Sequence, residues 1–257
     1  MDWKQRARSY LRYRKASVNR HGVHSPFLFD LIEKVFKGPS TGISEIEEVR
    51  KGFLNDDSPI DFEEHGAGSS FKQRKSTATA ASIASRSLST PAQCMFLHRL
   101  CAHRSAKHIL ELGTSLGVST AYLASAGAEV HTIEASAAVH HMAQSRFGPR
   151  FPSIQWHLGP FDEQLPKVLQ ESDPFDVVYV DGNHREASTV QYVEAIIPHL
   201  SEDAVMILDD IHWSEGMERA WDTVRDHREV TLSVDVFWCG MLFFKKGLSG
   251  EHFTIRY

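Results

Sequence analysis

The chain has 257 residues, of which 42% are apolar. That is enough for one α/β domain of ordinary size plus an N-terminal extension, with apolar side chains to fill its core. No apolar run approaches the ~20 residues that cross a bilayer. Residues 1–10 are polar and basic with no apolar stretch behind them, which argues against a secretory signal. Cys94, Cys101 and Cys239 are odd in number and lack metal-ligand spacing, so they read as free thiols of a reducing compartment, and a cytoplasmic location is expected.

The net charge of −5 conceals an asymmetry. Residues 1–20 carry Lys4, Arg6, Arg8, Arg12, Arg14, Lys15 and Arg20 against Asp2 alone, a balance of +6, and the remainder therefore carries −11. Such an arm suits RNA, an acidic membrane surface or an acidic partner, or it docks on the acidic body of its own chain. Trp3, Ala7, Tyr10, Leu11 and Arg14 recur at helical spacing and give the arm a stripe that needs something to pack on.

Short helices are expected at 2–17, 26–36 and 44–54. Ser25 is placed to cap the second, and Pro26 suits its first position. Residues 1–88 show no strand signals and many breakers, and are expected to form a helical extension rather than a domain with its own core. Within them, 64–70 is a glycine-rich loop and 71–89 a lid or a weak helix. Thr90, Pro91 and Gln93 form a capping-box sequence that opens a helix to about 103 and, with it, the main domain, 89–257.

Strands and helices then alternate. Strands are expected at 107–112, 129–134, 154–158, 175–181 and 203–209, and helices at 117–126, 136–146, 162–170, 186–199 and 214–227. This alternation implies a doubly wound parallel sheet with helices on both faces. The last two strands, 230–236 and 241–245, are joined by four residues, too few for a parallel crossover, so they must form an antiparallel hairpin. The expected fold is α/β, a mostly parallel seven-stranded sheet ending in that hairpin.

In such a sheet ligands bind beyond the carboxyl ends of the strands. The first strand runs through Glu111 into Gly113, Thr114, Ser115 and Gly117. The second ends in Glu134, 21 residues beyond Gly113. A glycine turn lets backbone approach a ligand, and an acid at that distance accepts from ribose hydroxyls, so the pair points to an adenosine cofactor. A dinucleotide turn would read G-x-G-x-x-G and bind pyrophosphate; this one reads E-x-G-x-x-x-G. The third strand leads to Phe161 and Asp162. Glu111 is placed either to bond the loop backbone or to approach a ligand amine.

The fourth and fifth strands end in Asp181 and in Asp209-Asp210, with His184 and His212 close behind. Adjacent strand ends bring these acids together, where three oxygen ligands suit Mg²⁺. Alternatively, Asp181 orients a ligand while Asp209 and Asp210 cap the next helix. Either histidine has the chemistry of a general base, and either also reads as an ordinary surface residue.

The sequences Glu111-Leu112-Gly113-Thr114-Ser115-Leu116-Gly117, Glu134, Asp176-Val177-Val178-Tyr179-Val180-Asp181-Gly182-Asn183-His184 and Ile207-Leu208-Asp209-Asp210 resemble those of class I S-adenosylmethionine (SAM) methyltransferases with a Rossmann-like fold. The likeness is to the small-molecule O-methyltransferase branch and covers about 105–246. The segment His21-Gly22-Val23-His24-Ser25-Pro26-Phe27 resembles the leader of a subgroup of bacterial methyltransferase-like proteins. The resemblance implies methyl transfer from SAM to an oxygen of a small molecule. It implies cofactor contacts at Glu111, Gly113, Thr114, Ser115, Gly117, Glu134, Phe161, Asp162 and Asp181. It also implies catalytic work at Asp181, His184 and His212, and, as in cation-dependent relatives, Mg²⁺ on Asp181, Asp209 and Asp210. Two other classes stay open: an RNA or protein methyltransferase docking through the basic arm, and a non-catalytic SAM-binding module. Against the first, no Asn-Pro-Pro-Tyr sequence follows the fourth strand. A homodimer is compatible with the sequence without being dictated by it.

Overall fold

The computed structural model describes residues 3–19, 22–39, 41–64, 74–248 and 250–256. In chain order they form α1 (Trp3–Ala16), α2 (Pro26–Leu31) with a π-helical turn (Ile32–Phe36), α3 (Ser44–Leu54), β1 (Pro59–Glu64), β2 (Arg74–Thr79), α4 (Ala80–Ser87), α5 (Pro91–Arg104), β3 (His108–Leu112), α6 (Val118–Ala124) and β4 (Glu129–Glu134). There follow α7 (Ala137–Phe147), β5 (Ile154–Leu158), α8 (Phe161–Glu171), β6 (Phe175–Val180), α9 (Glu186–Ile196), β7 (Leu200–Asp209), α10 (Glu215–Arg225), β8 (Leu232–Asp235), β9 (Cys239–Phe243) and β10 (Glu251–Thr254). No helix among the described residues is long and apolar enough to cross a membrane. The chain divides into two compact units, Lys37–Ser172 and Met1–Phe36 with Asp173–Tyr257.

In Lys37–Ser172, β3, β4 and β5 pair in that order, all parallel, with Leu110 opposite His131 and Thr132 opposite Trp156. Ile109, Leu110 and Leu112 are fully buried because the helices between parallel strands cover the sheet. The capping box at Thr90 forms as expected: the Gln93 side chain accepts from the Thr90 N–H at 2.8 Å, and Thr90 Oγ1 accepts from the Gln93 N–H at 3.3 Å. Helices α3 and α4 share one core with α5–α7, through Ile46, Phe53, Ile83, Cys94, Tyr122 and Phe147. The buried Arg50 of α3 donates to the Ser89 carbonyl and pairs with Glu47, which accepts from the Tyr122 hydroxyl at 2.6 Å. This stretch of the N-terminal third thus has no core of its own.

In the other unit the strand order is β10-β8-β9-β7-β6. The hairpin is present as expected: β8 and β9 are antiparallel, and β9 also pairs antiparallel with β7, whereas β6 and β7 are parallel. Trp221 of α10 lies over Gly240, where only a residue without Cβ leaves room.

Three expectations are corrected. The sheet has an eighth strand, β10, parallel to β8, and Val18 extends that edge by pairing with Ile255. An unpaired edge strand invites aggregation, and a backbone partner from the N-terminal segment covers it. Residues 1–88 do contain strands: β1 and β2 form an antiparallel ladder from Pro59↔Thr79 to Glu64↔Arg74. The period-2 alternation Ile60-Asp61-Phe62-Glu63 is the signal for it. Of the described residues in 71–89, only Ala80–Ser87 are helical, and 71–73 and most of the 64–70 loop lie outside the described residues. Helix 26–36 starts as expected, with Ser25 Oγ accepting from the Leu28 N–H, but it widens into a π turn that turns Val35 and Phe36 inward.

Candidate functional site

Beyond β3 the chain turns at Gly113, with φ +103°, and again at Ser115 (φ +48°) and Gly117 (φ +78°). The Gly113 and Thr114 N–H groups donate to the Ile133 carbonyl, at 3.1 and 3.3 Å, which ties the turn to β4. Glu134, at the end of β4, accepts from the Ser115 N–H with one carboxylate oxygen and from the Ser136 N–H with the other, both at 2.9 Å. Its backbone carbonyl accepts from the Gly159 N–H at 2.9 Å. One residue therefore fastens the loops after β3, β4 and β5. A carboxylate oxygen has two lone pairs, so one backbone N–H does not by itself saturate it.

The other residues expected on this side divide by geometry. Glu111 is fully buried and accepts from Ser119, Thr120 and Thr132 hydroxyls at 2.7, 2.5 and 2.7 Å. Those bonds join β3 to β4 and to the first turn of α6, so Glu111 sets the shape of the loop. The buried Thr114 hydroxyl bonds Thr132 and its N–H donates to the Ile133 carbonyl, so side chain and backbone both tie Thr114 to β4. At Gly117 a Cβ would come within 2.9 Å of Ala143 and 3.1 Å of Phe147, so this glycine answers to the approach of α7 as well as to its φ. Phe161 and Asp162 open α8; Phe161 is half-buried and Asp162 exposed. Two residues the sequence reading missed join this group. Ser136 supplies the second N–H to Glu134, and the hydroxyl of Ser87, at the end of α4, lies 2.8 Å from that of Ser115. A serine two residues after the strand-ending acid is a legible cap signal. Nothing in the sequence marks Ser87.

In the second unit, the charge of Asp210 acts on both Asp181 and Asp209. Burial, then the carboxylates of Asp181 and Asp210, push Asp209 well above the usual carboxylate range. Burial also raises Asp181, against the pull of His184, whose Nε2 lies 3.6 Å from Asp181 Oδ1. The Tyr179 hydroxyl donates to Asp181 at 3.3 Å. Asp209 Oδ1 is buried without a hydrogen-bond partner, and Asp210 and Asn183 adopt left-handed backbone at φ +51° and +59°. Among the described residues no group of three or more His, Cys, Asp or Glu side chains is arranged to hold a metal ion.

His212 is held differently. Its Nδ1 meets Glu218 at 2.9 Å and its Nε2 meets Asp235 at 3.0 Å, while the ring stacks on Phe237. Burial lowers its pKa, but the two carboxylates outweigh burial and raise it overall. A base needs a free ring nitrogen, and this geometry uses both. Glu218 also pairs with Arg12, and Tyr10 and Tyr13 pack on Phe237, so the His212 network anchors α1. Burial pushes Cys94 up to about 12 and raises Cys101 and Cys239 too, which keeps the three free thiols unreactive.

Residues 110–211 match the family model described as a methyltransferase domain, a span that includes the ends of β3 to β7. The chain is 30% identical over 148 residues to the O-methyltransferase ankF of Aspergillus thermomutatus, covering 54% of this chain and 60% of that one. It is 32% identical over 146 residues to the O-methyltransferase hkm8 of Aspergillus hancockii, covering 52% and 56%. The matches thus span less than two thirds of these relatives. Among solved structures, an O-methyltransferase from Bacillus cereus in complex with S-adenosylhomocysteine superposes with a TM-score of 0.58 at 20% identity, covering 83% of this chain and 94% of that one. The O-methyltransferase TomG from Streptomyces achromogenes, in complex with SAM, gives 0.54 at 23%, covering 63% and 82%. At such identities the likeness is one of fold. The fold, the domain match and the fungal relatives agree in a likeness to class I SAM-dependent O-methyltransferases, with the methyltransferase domain match confined to residues 110–211.

Proposed function

We propose that this chain transfers the methyl group of SAM to an oxygen of a small-molecule acceptor. The observation that carries the reading is Glu134, whose two oxygens are aligned by the Ser115 and Ser136 N–H groups. That alignment prepares a carboxylate to accept from both hydroxyls of a ribose. When bound, SAM supplies an electrophilic methyl on a sulfonium, and the protein's part is to hold, orient and deprotonate. Backbone from Gly113 to Ser115 gives close approach, and Phe161 and Asp162 are the proposed adenine neighbours.

On the acceptor side, Asp181 and His184 act on the hydroxyl. The acceptor oxygen loses its proton to His184 or to the Asp181–Asp209 pair. With SAM bound, that oxygen's electron pair would form the C–O bond as the C–S bond breaks, its electrons staying on sulfur. Two coupled, buried carboxylates favour retaining a proton between them, because neither is stable as a second anion. A magnesium ion would need Asp181, Asp209 and Asp210 ionised and converging on one point. The described residues do not form such a set, so no step is assigned to a metal. The buried free thiols support a reducing, cytoplasmic setting.

The test is release of S-adenosylhomocysteine from SAM with a panel of phenolic and catecholic acceptors, with and without EDTA. Turnover that survives EDTA is expected. Failure to bind S-adenosylhomocysteine at all would refute the assignment, and loss of turnover with EDTA, restored by Mg²⁺, would refute its metal-free form.

A further inference from the structure

We propose that the outward face of α1 docks on an anionic lipid bilayer. Helix α1 is firmly held from one side only: Ser9 and Tyr13 are buried, the Tyr13 hydroxyl donates to the Ile255 carbonyl at 2.7 Å, and Arg12 pairs with Glu218 at 2.8 Å. Arg6 lies over the Trp213 ring at 5.9 Å. The bulky apolar residues are not what this anchoring covers. Trp3 and Leu11 are 70% and 67% exposed, the two most exposed large apolar side chains among the described residues. Ala7, one turn from each, is exposed as well.

The same face carries charge of one sign. At 100° per residue, Leu11 lies opposite Ser9 and Tyr13, with Ala7, Arg14 and Trp3 on one flank and Lys4, Lys15 and Arg8 on the other. These side chains are exposed, and no carboxylate pairs with Arg8, Arg14 or Lys15 among the described residues. A helix with Trp and Leu outward and a lysine-arginine rim lies in a lipid headgroup layer, the apolar residues in the acyl boundary and the cations among anionic headgroups. RNA would satisfy the cations, but it offers an aliphatic side chain such as Leu11 nothing to enter. Beyond residue 20 the chain carries a balance of −11, so an anionic surface attracts the α1 face and repels most of the rest, which sets the orientation.

The experiment is co-sedimentation of the full chain with phosphatidylcholine vesicles and with vesicles that also contain phosphatidylglycerol, at low and high salt. Expected is binding to the anionic vesicles alone, falling with salt. Arg8→Glu with Lys15→Glu should weaken it by at least about twenty-fold, since each lost cation is worth about fivefold. Trp3→Ser with Leu11→Ser should weaken it about tenfold or more. Both pairs point to solvent, so thermal unfolding and S-adenosylhomocysteine binding should not change, which separates this test from the test of the catalytic reading. Equal binding to neutral vesicles, no binding to either, or unchanged binding in both double variants would overturn the proposal. Filter retention of single-stranded RNA without vesicle binding would overturn it in favour of a nucleic-acid partner.

Discussion

Glu134→Ala removes the one side chain that accepts from both the Ser115 and the Ser136 N–H groups. Hydrogen bonds to a charged group contribute roughly 1.5–3 kcal/mol each when buried. Glu134 is half-buried, and water can replace it at both N–H groups, so the fold should lose only about 2 kcal/mol in all. The ligand loses more. Two ribose hydroxyls would forfeit a charged acceptor, and the Ser115 turn, at φ +48°, would lose the anchor that holds its backbone in place. About 3 kcal/mol, roughly a hundredfold in Kd, is expected for S-adenosylhomocysteine. Glu134→Gln should not rescue it, because an amide presents an N–H to one of two N–H donors. Isothermal titration calorimetry measures the affinity, and urea unfolding separates it from stability. Unchanged affinity in Glu134→Ala, with the fold intact, would refute the ribose role.

Four further outcomes are expected. His212→Ala should destabilise by about 1 kcal/mol near pH 6, because half-buried Asp235 loses its cation and Glu218 is left with Arg12 alone. The His212 pKa is raised above 6.5, so its contribution is fully present below that value and fades as pH rises through the folded-state pKa, and urea unfolding of both proteins across pH should show the gap closing. Asp209→Asn should act the opposite way on stability. A carboxylate raised above 3.8 costs the fold more as pH rises from its unfolded to its folded pKa, so at neutral pH the variant should be more stable by about 1 kcal/mol or more while turnover falls; lower stability would count against the buried-pair geometry. Gly117→Ala should cost about 3 kcal/mol, from positive φ plus the Ala143 clash, and Gly127→Ala only about 1 kcal/mol, since its φ is also positive but nothing lies within 4 Å; equal melting temperatures would contradict this. A fragment 89–257 should be insoluble or inactive, because α3 and α4 share a core with α5–α7; a soluble, fully active fragment would show that the extension is dispensable.

The sequence by itself determined what local chemistry determines. Period, caps and turn residues located each helix and strand from Thr90 to the hairpin, because a parallel sheet writes long buried runs such as Phe175–Val180 and a capping box is complete within four residues. It located the glycine turn and Glu134 for the same reason: strand ends are marked by adjacent residues. Contacts between distant segments were not written locally. β10 exists because β8 and Val18 offer backbone on both sides, and the β1–β2 ladder because two weak, polar segments complete each other. His212 looked like a free imidazole until Glu218 and Asp235, from α10 and β8, closed on both of its nitrogens. The stripe on α1 was legible as a period, but which side of the helix would be covered was decided by Tyr13 reaching Ile255, 242 residues away. A side chain's partner across the fold sets its protonation, its freedom and its burial, and only the tertiary structure names that partner.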